Sequence, residues 1–289
     1  MDLECSHLVL GLGCNKSTTS NTIIFYLTLG IAFLLSTFTL AFILGHHRLR
    51  KRRFIFQFNI ILADLVSLIC RLVAIFRGRN FPANIIRAFL MTPLVVSTIN
   101  ILFVALYQLI TIRVDPFGVK NIITTARCFV AAVASWVVCA CVMFPIGYLD
   151  KTDGVNGELA VFILTLLVFL LTGVCLSLIY GVVAKMQCDN VQMEERKEDT
   201  KRVLRTFAIV YCTSLIAGTM TRALSLKLYV TKTFFVLEAF FNGPCFIFLV
   251  TLVTAFNWIA NCVVYLWRLK EFRSIVFSCS RNRRVEAVY

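Results

Sequence analysis

The chain has 289 residues, of which 59% are hydrophobic and 15% charged, with a formal net charge of +14 at pH 7. A soluble globular chain is typically about 45–50% apolar and about 25% charged, so an ordinary water-soluble domain is excluded. The apolar surplus comes in long runs with the positive charge between them, which reads as the basic loops of a membrane protein and not as a nucleic-acid surface.

Residues 1–21 form a polar leader with Cys5, Cys14 and the sequon Asn15-Lys16-Ser17. It has no basic stretch ahead of an apolar core, so a cleaved signal peptide is not expected. A spanning helix needs about 20 mainly apolar residues. The first such run is 22–45, followed by His46, His47 and the basic cluster Arg48, Arg50, Lys51, Arg52 and Arg53. The second, 54–76, carries Asn59, Asp64 and Arg71. The third, 84–112, carries Ser97, Asn100 and Gln108, and the fourth, 127–149, carries Trp136. A short polar connection from about Leu149 to Gly157 leads to the fifth run, 158–186, with Tyr180 near its end. The segment from Lys185 to Arg205 interleaves acids and bases, as solvated helical extensions of the fifth and sixth runs do. The sixth run is 203–229 with Arg222, and the seventh is 234–267 with Asn257, Asn261 and Tyr265. Residues 268–289 form a basic amphipathic stretch and tail with Cys279. The predicted fold is all-α: one seven-transmembrane helix bundle over 22–267, with a short amphipathic eighth helix along the membrane surface.

Lys and Arg set the orientation. The rich set of connections includes Arg48–Arg53, Arg113, Lys120, Arg127, Lys185–Arg205 and the tail. The poor set holds Lys16, Arg77, Arg79, Arg87, Lys151, Lys227 and Lys232. The rich set is expected in the cytoplasm, with the C-terminus. The N-terminus is then extracellular, which places Asn15 where N-glycosylation occurs. The expected location is the plasma membrane, with the basic face against anionic headgroups. Cys279 is a candidate for palmitoylation, and an idle cysteine is the alternative. Cys5 and Cys14 pair with each other, or one reaches Cys245; sequence leaves this open.

Polar groups inside a span are costly and face the bundle interior. Asp64 is the sharpest case, because a lone carboxylate in lipid must pair, bind a cation or stay protonated. Ser97, Asn257 and Asn261 offer oxygen-bearing partners, suited to a hydrated sodium ion or a water network. Interhelical hydrogen-bond glue is the plainer alternative and is compatible with both. Asn257, Asn261 and Tyr265 recur every four residues, so they share one helical stripe.

In order and spacing these residues resemble the rhodopsin-like (class A) G-protein-coupled receptors, over residues 22 to 280. Asn59, Ala63 and Asp64 resemble the second-span signature. Ser97 and Asn100 fall where the family often has small polar residues. Trp136 resembles its fourth-span tryptophan and Tyr180 its fifth-span tyrosine. Asn261-Cys262-Val263-Val264-Tyr265 resembles Asn-Pro-x-x-Tyr, and Arg268 to Phe277 the surface helix. The departures mark a divergent, orphan member. Ser36 stands for the first-span asparagine, and Tyr107-Gln108-Leu109 for Asp-Arg-Tyr. Cys212-Thr213-Ser214-Leu215 stands for Cys-Trp-x-Pro, and Cys262 for the seventh-span proline. The usual third-span disulfide lacks its cysteines.

The resemblance implies a cell-surface receptor that passes an extracellular signal to a heterotrimeric G protein. Asp64, Ser97, Asn257 and Asn261 would be its central polar switch and sodium site. Asn59, Asn100 and Trp136 would pack helices, and Gln108, Tyr180 and Tyr265 would form its cytoplasmic switch, with both tyrosines meeting at the inner mouth. Gln108 and Cys262 favour a coupling-deficient decoy, dimerising partner or scaffold as the alternative. Ala255 stands at the level of the retinal lysine, so retinal is not expected. No carboxylate stands in the third span for an amine. Arg71, Arg87 and Arg222 form a candidate anion site for an anionic or apolar ligand, with a structural pair to Glu238 or simple snorkelling as the alternative for Arg71. No catalytic or metal constellation is evident, since the three His lie in the leader and first inner loop.

Overall fold

A computed structural model describes residues 18–46, 54–77, 83–114, 122–185, 191–230 and 244–268. Asn15, Cys5, Cys14, Glu238, Cys279 and the expected eighth helix lie outside the described residues, as do the side chains of Arg87 and Cys245. The described chain is helical: α1 (Thr18–Gly45), α2 (Ile55–Arg77), α3 (Ala83–Arg113), α4 (Thr125–Lys185), α5 (Val191–Val230) and α6 (Pro244–Arg268). Seven stretches in these helices are long and apolar enough to cross a membrane: Ile23–Gly45, Ile55–Val73, Ala88–Arg113, Thr125–Ile146, Leu159–Lys185, Thr200–Ala223 and Leu249–Leu266. They agree with the seven predicted runs. The seventh begins later than 234 among the described residues.

The fourth and fifth spans share α4. The expected loop from Leu149 to Gly157 is helical in backbone, which keeps its amide groups bonded. The spans nevertheless double back. Cys128 and Leu176 belong to one packed cluster, although about 70 Å of straight helix would separate them. The charged start of α5 precedes the sixth span as a helical extension. There Lys201 Nζ donates to Glu198 Oε1 at 2.7 Å. Lys201 holds the Glu198 carboxyl below its usual range, chiefly through this hydrogen bond. An exposed pair of this kind adds little to stability.

The distribution of side chains is inverted relative to a soluble protein. Leu34 is 68% exposed and Val130 65%, whereas Asp64 is 1% exposed and Asn100 and Asn261 are 0%. Lipid accepts apolar side chains, and only the interior offers polar groups partners. Threonine hydroxyls solve the same problem within their own helix. Thr39, Thr92, Thr165, Thr172, Thr206 and Thr254 each donate to the carbonyl four residues back, at 2.7–2.9 Å.

The fifth and sixth spans interlock through two aromatics and two glycines. Tyr211 Oη donates to the Phe169 carbonyl at 3.1 Å, and the rings meet edge to face at 6.1 Å between centroids. A Cβ on Gly173 would lie 2.9 Å from Tyr211 Oη, and one on Gly218 would lie 3.0 Å from the Phe169 ring. Small residues let helices approach closely where no water drives them together. Gly218→Val is expected to lower stability by about 1–3 kcal/mol by overpacking. Thermal unfolding of purified protein checks this, and an unchanged midpoint would show that Phe169 yields freely.

Candidate functional site

The interior polar groups gather around Asp64, the one carboxylate within the seven spans. α2 places it midway along the bundle. Ser97 Oγ on α3 donates to Asp64 Oδ1 at 3.2 Å. Asn261 Nδ2 on α6 donates to Asp64 Oδ2 at 2.7 Å. One carboxylate thus ties three helices. Among the described residues it has no ion-pair partner.

Asn257 does not join it. Its Oδ1 accepts instead from Ser214 Oγ of the sixth span at 3.0 Å. One turn toward the start of α6, Thr254 and Thr221 bridge the same two helices at 3.0 Å. The predicted switch is therefore divided. Asp64, Ser97 and Asn261 meet, whereas Asn257 belongs to a seam between the sixth and seventh spans.

The packing asparagines act between helices. Trp136 Nε1 donates to Asn59 Oδ1 at 2.8 Å. Asn100 Nδ2 reaches Ser135 Oγ at 3.1 Å and the Val96 carbonyl at 2.8 Å. The neighbours Ser135 and Trp136 thus fasten the fourth span to two others.

Several buried atoms here have no partner among the described residues: Asn59 Nδ2, Ser67 Oγ, Asn100 Oδ1, Trp258 Nε1, Asn261 Oδ1 and Tyr265 Oη. Buried polar groups are ordinarily bonded, so these mark places that suit water or an ion. A sodium ion fits the group around Asp64 by chemistry. The carboxylate, Ser97 Oγ and the free Asn261 Oδ1 are the oxygen donors a hard cation takes.

Tyr265 is buried at 1%, but Tyr180 is 67% exposed. Tyr180 lies on the lipid side of the fifth span, as do Leu170, Val174 and Leu178. The expected meeting of the two tyrosines is not formed. Gln108 is half-buried in α3. Two departures from the resemblance do meet: Ser36 Oγ and Cys262 Sγ are 3.4 Å apart, both fully buried. α6 runs through Cys262 without interruption.

The arginines separate too. The Arg71 guanidinium stands over the Trp258 ring, 5.4 Å from its centroid. Arg222, 3% exposed, donates through Nη1 to Met91 Sδ at 3.2 Å. Trp258 was not singled out by the sequence reading, nor were Ser135, Ser214 and Thr254. A signal existed: Thr254, Trp258 and Cys262 recur every four residues, beside the stripe of Asn257, Asn261 and Tyr265.

Fold and site together define a seven-span helical membrane protein whose interior is knitted by one carboxylate and a set of amides and hydroxyls. No protein-family model matches the chain, and no curated protein sequence matches it.

Proposed function

We propose that this chain is a cell-surface receptor that passes an extracellular ligand signal to a cytoplasmic G protein, in the manner of divergent rhodopsin-like receptors. The observation that carries the reading is the Asp64–Asn261 contact at 2.7 Å, with Ser97 on the other carboxylate oxygen. It joins the second, third and seventh spans where each is surrounded by apolar packing. Incompletely paired atoms, Asn261 Oδ1 and Tyr265 Oη, lie along the same stripe toward the basic end. A polar centre of this kind has more than one way to pair, which is the requirement for a bundle with two states. In the proposal the plasma membrane holds the chain with its N-terminus outside, its basic connections in the cytoplasm, and Asn15 glycosylated.

Measurement of constitutive and ligand-driven G-protein activation in cells tests the reading. Silence across all G-protein classes despite surface expression would overturn it. A sodium ion, when bound, would supply a positive charge that holds Asp64 ionised. Asp64→Asn is therefore expected to change basal activity and abolish sodium sensitivity. An indistinguishable mutant sinks the sodium site.

A second reading, a seven-helix protein that has lost coupling, is favoured by the Ser36–Cys262 contact and the unbroken α6. Together with Gln108 they alter the parts that move in the relatives it resembles. Surface-expressed, silent protein that self-associates in the membrane would support it.

A further inference from the structure

Two helices face each other in layers. Asp64 of α2 meets Asn261 of α6. Seven residues on, Arg71 lies on the same face of α2, two turns toward the end opposite the basic loops. It meets Trp258, one turn from Asn261 in the same direction. Ser67 lies between these two contacts, on the same face of α2. Ser67 is 1% exposed and Trp258 0%, and neither Ser67 Oγ nor Trp258 Nε1 has a partner among the described residues. The Arg71 side chain makes no hydrogen bond or ion pair to a described residue either; its contact is the indole face.

All three groups donate. A hydroxyl, an indole N–H and a guanidinium present hydrogens, and among the described residues the one carboxylate of the spans is Asp64, which already accepts from Ser97 and Asn261. A hydroxyl can also accept, but indole and guanidinium cannot. The cation–π contact with Trp258 holds the guanidinium beside the ring without using its N–H groups, which stay available to a ligand. We propose that Arg71, Ser67 and Trp258 form a binding site for a monocarboxylate with an apolar body. One guanidinium balances one negative charge, and its fork matches a carboxylate through two parallel bonds. A phosphate would bring a charge of about −1.5 to −2, more than the single cation answers. The side chains around Trp258 are apolar, with Leu29, Leu68 and Leu94 packed in its cluster, so the part of a ligand that met them would be hydrocarbon. Arg71 is the partly exposed member, so a ligand would approach from its side.

The site deepens the receptor proposal, resting on it only for the extracellular direction of that approach. Its test needs no signalling. Full-length protein in lipid nanodiscs is titrated with octanoate, with octanamide as the neutral match for membrane partitioning, and thermal unfolding is followed. Octanoate is expected to raise the midpoint saturably and octanamide not to. Arg71→Gln should abolish the shift. Ser67→Ala and Trp258→Phe, which each remove one donor and keep the charge, should weaken binding about tenfold. If Arg71→Gln does not fold, these two variants decide. Equal shifts from octanamide, no saturable shift, unchanged affinity in both single-donor variants, or stabilisation by chloride over gluconate without an octanoate effect would each overturn the assignment. Octanoate binding by a protein silent toward G proteins would fail the receptor reading and leave the site standing. Signalling without octanoate binding would do the reverse.

Discussion

Trp258→Ala is expected to be among the most damaging single substitutions in this protein, lowering stability by about 3–5 kcal/mol. Trp258 is the largest of the fully buried side chains. It packs against Leu29 and Ala32 of the first span, Leu68 of the second and Ala255 of its own helix. In lipid, helix association depends on close packing more than on expulsion of water. A cavity at this junction removes dispersion contacts that no solvent returns. The Arg71 guanidinium would also lose its ring and face an apolar hole. Thermal unfolding of purified protein and the fraction reaching the cell surface measure the loss. Trp258→Phe keeps most of the volume and should fall well short of the alanine effect. Equal stability of wild type and Trp258→Ala would mean that the three-helix junction does not hold the bundle.

The second large effect belongs to Asp64→Ala. Its removal leaves Asn261 Nδ2 and Ser97 Oγ without acceptors inside the bundle. A buried donor stranded in this way costs about 1–3 kcal/mol. Two of them, less the burial cost of the carboxylate itself, give an expected loss of about 2–4 kcal/mol. Asp64→Asn keeps one acceptor oxygen and should lose less. The double substitution Asp64→Ala with Asn261→Ala decides the cause. If stranded donors dominate, the double variant is less destabilised than the sum of the singles. Strict additivity would show that the two residues act apart.

Hydropathy made the spans legible because burial in lipid acts on runs of residues, and composition alone reports a run. Asp64, Ser97 and Asn261 were legible for a related reason. A polar residue inside a span has few places to go, so its spacing nearly dictates its partners. Asn257 shows the limit. It shares the stripe of Asn261, yet it pairs with Ser214, whose hydroxyl donates to its Oδ1. Spacing gives the face of a helix and not which of two neighbours that face touches. Tyr180 was misplaced in the same manner. Its position in the fifth span suggested an inward role, but a helix with both apolar and aromatic residues all round carries little information about rotation. Trp258 escaped notice because an aromatic in an apolar run looks like any lipid-facing residue. Its importance arises from Arg71, 187 positions away in the chain. The glycine contacts of the fifth and sixth spans were illegible because a close approach is a property of two backbones.

Those glycine contacts have a mechanical consequence. Tyr211 sits over Gly173, Phe169 over Gly218, and Tyr211 is bonded to the Phe169 backbone. Each ring fills the notch opposite it, so neither helix can turn about its axis or slide without a collision. The fifth and sixth spans are therefore keyed together like a tongue and groove, an arrangement that favours their moving as one unit. Among the described residues the sixth and seventh spans show no such glycine key; they are joined by the Ser214–Asn257 and Thr221–Thr254 bonds and by apolar packing of Phe207 and Val210 with Cys262 and Tyr265. Those hydroxyl and amide pairs are buried, so they part cheaply only where a new partner or water takes the freed groups. Were the bundle to part between the sixth and seventh spans, the fifth would be expected to follow the sixth away from α6.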